Sequence, residues 1–499
     1  MATALSLDVG ESAYSALELL KQGRGIISGL QLETRSDITA LEEQYPALAI
    51  EFRHLRQELD LPFLQEGPSQ YFTLMLSAHE PNDTFQLDSK IHRRYVACTE
   101  FKNIIERIRG LSGFERFLLG PSEHQFKNLA ETGPIVVFNI ATSRSDAFLI
   151  KADGIEVMNL PDLNYTKVGQ KADRFVESLN NFKLAAYPKM REQLQKDLKW
   201  LWRVAVGPIL EGLGISGSPK GESVIDWPRV WWVGSGSLNT LPIHAAGDHS
   251  KGSDNNAIDR VISSYAPTVK ALKYARERML PSTFDSQKSV LIIGMPKTPK
   301  QAELVYVREE IDALSSQDIL PNDIPRIILV TPLKAEVLRE LPQCQIVHFA
   351  CHGMSDLADP SRSCLLLQDW ETDPLIVADI TSLQVQNARL AYISACHAAT
   401  TRVPGLFDEG IHLTGAFQLS GFPHVIGTLW QISDHGSVAI ADTVYRLMVE
   451  GGILDIDKCA EGLHFAIRKL RDSTRIIEGF TREGPENPLI WAPYVHFGA

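Results

Sequence analysis

The sequence predicts an α/β fold: a mostly parallel sheet flanked by helices, preceded by an all-α N-terminal region. Three observations predict it. Residues 13–127 place apolar side chains three and four apart with few strand signals between them. At 133 the texture changes to short β-branched runs divided by turn residues, "GPIVVFNIAT", "DAFLIKA" and "GIEVMNL". From 229 onward Val/Ile-rich runs alternate with helical patterns, and that alternation belongs to parallel strands whose crossovers cover the faces of the sheet.

Taken in order, "YSALELLKQGRGIISGL", "DITALEEQYPALAIEFRHLRQEL" and "RRYVACTEFKNIIERIRGLSGFERFLL" read as helices of the N-terminal region, with a boundary at about 130. After the first strands come helices over 165–182 and 188–212, the second ending at "EGLGISGSPKG", a stretch suited to a surface loop. Then "RVWWVGSG", "SVLIIGMP" and "RIILVT" read as strands, separated by "PTVKALKYARERML" and "AELVYVREEIDAL" as helices and followed by "KAEVLREL" as another. After "LAYISAC" the pattern continues with "LTGAFQLSGF" as helix, "HVIGTLWQI" as strand and "SVAIADTVYRLMVEG" as helix. No internal repeat of about 34 residues is visible.

With 499 residues, 44% of them apolar and 22% charged, the chain has enough apolar material for a large core and two or three domains. Its formal charge of −12 and the lack of any Lys/Arg stripe exclude nucleic acid as the main partner. The N-terminus lacks a basic segment followed by an apolar one, and no apolar run is long enough to span a bilayer. A soluble cytoplasmic protein without a membrane partner is expected. Six cysteines, at 98, 344, 351, 364, 396 and 459, are too sparse for a disulfide framework and are expected to stay reduced. "VGSGSLNTLPIHAAG" holds glycines without the G-K-[ST] or G-x-G-x-x-G spacing, so no nucleotide site is read there.

Two apolar runs end on reactive side chains. Residues 346–353 read "IVHFACHG" and residues 390–397 read "LAYISACH". In a parallel α/β sheet, reactive groups collect where strands end at their carboxyl edge. His352 and Cys396 both fall there, 44 residues apart, a separation that suits a β/α/β crossover returning the chain to a neighbouring strand. A thiol needs deprotonation to attack, and a facing imidazole supplies first a base and then an acid for the leaving group. Gly353 lets backbone approach a substrate, and its N–H together with that of Cys396 can form an oxyanion hole.

The stretches "IVHFACHG", "RSCLLLQDW", "LAYISACHAATT", "DEGIHLTGAFQLSGFPHVIGTLWQISD" and "WAPYVHFG", in this order, resemble the CHAT family, and among its members the fungal ones. These are caspase- and separase-like cysteine peptidases of clan CD, often joined to tetratricopeptide repeats. The resemblance covers roughly 131–499. It implies a caspase-like domain with a non-catalytic first part, 131–285, and a catalytic part, 286–499. It also implies His352 as general base and Cys396 as nucleophile. The caspase signature has glutamine two places before the cysteine, where this chain has Ser394. Residues 1–130 resemble the helical segment that links repeats to the peptidase in fungal relatives, while the repeats themselves are not evident.

Bland readings stand beside these. His348 lies inside its strand and is expected to be a satisfied core histidine; Cys344, Cys351 and Cys364 lie in or near apolar runs and are expected to be packing, as is Trp430. A zinc site from His348, Cys351, His352 and Cys396 lacks paired ligand spacing, and His397 is an alternative base adjacent to the nucleophile. No metal or cofactor is expected. For a basic side chain ahead of the scissile bond, the candidate pocket residues are Asp434, Ser394, Asp356 and Asp359; for each aspartate the alternative is a loop or helix cap. The expected activity is cleavage of a protein or peptide through an acyl-enzyme, with a protein activator possible. Two rivals remain: an amide-forming acyltransferase on the same dyad, and a scaffold whose site is closed.

Overall fold

A computed structural model describes residues 2–25, 38–60, 99–219, 227–279, 289–473 and 487–499, with short interruptions inside these spans and a few isolated positions between 29 and 97. The chain divides into two compact units, one formed by residues 1–28 with 121–499 and the other by 29–120. The smaller unit is helical. Helix Pro46–Asp60 and the helical residues 99–109 bury Ala49, Phe52, Phe101, Ile104 and Ile108 in a core of their own, and Phe52 stacks on Phe101 with ring centroids 5.1 Å apart.

The larger unit is built on strands β1 Ile135–Ile140, β2 Ser145–Ile150, β3 Ile155–Asn159, β4 Arg229–Val233, β5 Ile262–Tyr265, β6 Ser289–Gly294, β7 Arg326–Val330 and β8 Cys344–Ala350. These are followed by β9 His352–Met354, β10 Cys364–Leu366, β11 Leu375–Ile376, β12 Leu390–Ser394, β13 His424–Thr428, the short β14 Val449–Glu450 and β15 Ile453–Leu454, and β16 Tyr494–Gly498. Eleven of them form one sheet in the order β3-β2-β1-β4-β5-β16-β13-β12-β8-β6-β7. The mostly parallel sheet flanked by helices is therefore present. β6, β8 and β12 are buried along their whole length, as strands covered by helices on both faces must be.

Two directions coexist in the sheet. β13, β12, β8, β6 and β7 run parallel to one another, as do β1, β4, β5 and β16. β16 pairs antiparallel with β13, so the two sets point opposite ways. Only β2 and β3, joined by tight turns, add a meander at the far edge. The sequence reading placed the strands around β5 and β16 without assigning either one; "ISSY" and "YVHFG" are short and become strands by pairing between β4 and β13. Helix Tyr187–Leu201 continues through a π-helical turn, Trp202–Val206, into Gly207–Gly212, close to the expected 188–212.

Candidate active site

β8 and β12 are neighbours in register, with Ala350 opposite Ser394. The next two steps of each chain bring His352 and Cys396 to the same edge, and the Cys351 N–H still donates to the Ser394 carbonyl at 3.2 Å. Both reactive residues are half-buried. At Gly353 a Cβ would lie 2.4 Å from the Cys396 carbonyl oxygen, so only glycine allows the backbone beyond the histidine to pack on the backbone of the cysteine. His397, next to Cys396, has φ 57°, a left-handed conformation that a non-glycine residue holds only when its surroundings impose it. The chain therefore turns sharply at the cysteine.

The His352 ring is oriented by main chain. Its Nε2 lies 2.9 Å from the carbonyl oxygen of Ala302, which can only accept, so Nε2 is the donor and, in a neutral ring, Nδ1 is the nitrogen left to accept a proton. The loop that supplies this carbonyl is anchored nearby: Trp370 Nε1 donates to the Pro299 carbonyl at 2.9 Å.

Beneath the strand ends lies a buried carboxylate that the sequence reading did not single out. Glu310, on helix Val307–Ser315, is 1% exposed. Its Oε1 is 3.0 Å from His348 Nε2, and its Oε2 is 3.1 Å from the Ser437 hydroxyl and 3.4 Å from that of Ser394. His348 is thus a core histidine, stacked on Tyr392 at 4.6 Å with its Nδ1 3.4 Å from the Tyr445 hydroxyl. A signal for Glu310 existed in the sequence: it falls on the apolar stripe of Val307, Ile311 and Leu314, where a charge is buried only with partners.

The remaining pocket candidates stand in different settings. Ser394 is buried and faces Glu310. Asp356 accepts from the N–H groups of Ala358 at 2.8 Å and Asp359 at 2.9 Å; the Asp359 N–H, then that of Ala358 and the Arg362 charge, hold its carboxyl below the usual range. Asp359 caps the turn Pro360–Arg362, accepting from Ser361 N–H at 3.0 Å and from its hydroxyl at 2.6 Å. Both loop aspartates thus serve as turn caps. Asp434 opens helix Asp434–Met448, and its side chain lies outside the described residues. Trp430 is buried, its Nε1 donating to the Leu489 carbonyl. Burial raises the thiols of Cys344, to about 12, and Cys364, to about 11, and raises that of Cys351 as well, as expected of packing cysteines.

Among the described residues, one trio has metal-ligand chemistry: His424, Cys459 and His496, all buried, with ligand atoms within 4.8 Å of one another. The two histidines already lie in a chain of polar contacts. Arg229 Nη2 donates to Ser264 Oγ at 3.0 Å, the serine hydroxyl lies 2.9 Å from His496 Nδ1, and His496 Nε2 lies 3.1 Å from His424 Nδ1. His424 Nε2 ends the chain 3.5 Å from Asp457, which also pairs with Arg389. Since Arg229 can only donate, the proton order runs from arginine to aspartate, and the two buried guanidinium groups oppose a further cation.

A family model for the CHAT domain matches residues 195–499. Among solved structures, Saccharomyces cerevisiae separase in its complex with securin is similar with a TM-score of 0.50 at 12% identity, over 75% of this chain and 31% of that one. A second structure of that complex gives 0.51 at 11% identity, over 83% and 34%. The chain thus spans about a third of the length of the separase chains it matches. The Arg-specific cysteine proteinase gingipain R is more distant, with a TM-score of 0.37 at 13% identity over 62% of this chain and 67% of that one. No curated protein matches the chain. The separase likeness supports the fold, and because the CHAT match takes in more than half of the residues, the chain belongs to the CHAT-domain family.

Proposed function

We propose that this protein is a cysteine endopeptidase in which His352 is the general base and Cys396 the nucleophile. The observation that carries the reading is the meeting of two parallel strand ends in register, with Gly353 packed on the Cys396 carbonyl. His352 Nδ1 takes the thiol proton, and the thiolate adds to the scissile carbonyl carbon. The N–H groups of Gly353 and Cys396 hold the oxyanion. The intermediate collapses as the imidazolium gives its proton to the departing amine, leaving a thioester on Cys396. Water, deprotonated by His352, hydrolyses the thioester and restores the thiol. No cofactor enters this scheme.

The substrate is an intracellular protein, and the chain is of the family's fungal type. That separase is held in a complex with securin supports a protein partner for this chain, in the role of an activator. Both reactive residues fall in the proposed catalytic segment 286–499, with 131–285 as its non-catalytic counterpart and 1–130 as a helical leader. Among the described residues no helix is long and apolar enough to cross a membrane, which is consistent with a cytoplasmic setting. Asp434, at the start of its helix, is the pocket residue the reading retains.

The test is N-terminal peptide profiling of a cell lysate incubated with the purified protein, with Cys396→Ala as control. New termini confined to the wild type establish the peptidase and read out its preference. Their absence, with Cys396 still fast to alkylate, turns the reading toward acyl transfer to an amine or toward a missing activator; a sluggish Cys396 favours the scaffold.

A further inference from the structure

We infer that Glu310 is a positioning residue for the His352/Cys396 dyad; the inference rests on the peptidase reading above. Four segments surround the site, and each one meets this carboxylate or carries it. Ser394, two residues before Cys396, and His348, four residues before His352, reach it from the two adjacent strands. Ser437, three residues after Asp434, reaches it from the first turn of the helix at the candidate pocket. Glu310 itself stands on the helix that follows the loop bearing Ala302, the carbonyl that orients His352. In the same stretch, Tyr306 sets its ring edge-on to His435 at 5.2 Å, a second tie between that loop and the pocket helix.

The chemistry of the acceptor explains why a carboxylate serves here. Three donors converge on one group that is 1% exposed, and an ionised carboxylate has lone pairs for all of them. An amide would offer one oxygen and turn an N–H₂ group toward other donors. An apolar side chain would leave the donors buried without a partner, which is costly. Hydrogen bonds are directional, so these three fix the relative height of β8, β12 and the pocket helix. At a dyad, a displacement of about 1 Å is worth roughly 100-fold in rate. Glu310 does not touch substrate or the reacting atoms; it acts through the strand ends.

The experiment is a double-mutant cycle read by the rate at which iodoacetamide alkylates Cys396, measured on the full chain as wild type, Glu310→Gln, His352→Ala and the double variant. Glu310→Gln is expected to slow alkylation roughly 10- to 100-fold in the wild type and less than about twofold when His352 is already absent. A merely structural role would lower the rate equally in both backgrounds, or lower the melting temperature with no change in rate, and either result overturns the proposal. If Glu310→Gln fails to fold, Ser394→Ala and Ser437→Ala take its place, and unchanged alkylation in both overturns it. Failure of the peptidase reading looks different: fast, His352-dependent and Glu310-dependent alkylation without any cleaved peptide removes the proteolysis and keeps the positioning role. Alkylation indifferent to His352 removes both.

Discussion

At the carboxyl end of β4 the chain leaves the sheet through Gly234, Ser235 and Gly236 and meets a charged plug; at the carboxyl ends of β8 and β12 it leaves through His352 and Cys396. The plug is Arg24. Its guanidinium donates to the carbonyls of Phe138 at 2.8 Å and Gly234 at 3.3 Å and to the Ser235 hydroxyl, and it pairs with Asp408 at 3.5 Å. Asp408 in turn accepts from the Gly236 N–H at 2.7 Å. Both edges are built from parallel strands in one sheet, facing opposite ways because β16 reverses direction against β13. Strand ends alone therefore do not make a site. At one edge a salt bridge occupies what the strands release, Arg24 taking the acceptors and Asp408 the Gly236 N–H. At the other, the strand ends carry a half-buried imidazole and thiol, and a buried carboxylate lies one layer below, on Glu310.

The difference can be broken first at the reactive edge. Gly353→Ala puts a methyl group 2.4 Å from a backbone oxygen, so the strand after His352 must move off the Cys396 turn. Proteolysis is expected to fall about 100-fold, measured as kcat/KM on a peptide taken from the profiling experiment; full activity would mean that the two backbones need not touch. At the plugged edge the expected effect is on stability. Arg24→Met leaves three acceptors without their donor and Asp408 without its partner, at a cost of about 2 kcal/mol. That estimate is moderate because the Asp408 side chain is 31% exposed and water can take the place of the cation. Denaturant unfolding should show the loss, while Cys396 alkylation stays within about twofold of wild type; a large change in alkylation would couple the two edges.

The smallest effect is pH-dependent and belongs to the core beside the plugged half. Burial first, and then the Arg468 charge, lower the His464 imidazole from 6.5 to about 3, and its Nε2 has no hydrogen-bond partner. Because the folded value lies below the unfolded one, its contribution to stability is complete above pH 6.5 and is lost as pH falls toward 3. His464→Phe should flatten the stability profile by about 0.7 kcal/mol between pH 7 and pH 6, measured by denaturant unfolding at each pH. An unchanged slope would place the proton uptake on His244, His249 or His412, which burial also depresses, to about 3, 4 and 4.

Much of this was legible in the sequence because it is local. β8 and β12 are mostly apolar, which marks them as central strands, and the histidine and cysteine stand just past their last apolar residue. His348 could be read as core from its place inside the run. Ala302 could not be found, since it acts through a carbonyl that every residue carries. The loop aspartates were ambiguous for a different reason. A pocket acid and a turn cap have the same composition, and only the N–H groups of Ala358, Asp359 and Ser361 decide between them.

By itself, the sequence determined the type of each long element, the apolar faces, the absence of a basic stripe and the pairing of a histidine strand end with a cysteine strand end. Periodicity and composition suffice for these because they depend on neighbours a few residues away. Tertiary structure decided the order of the sheet, the reversal at β16, the plug at one edge, and the convergence of Ser394, His348 and Ser437 on Glu310. Those contacts join residues 38 to 127 positions apart. They are selected by the burial of whole faces and by the need to satisfy every polar group carried inside, conditions that no local window of sequence contains.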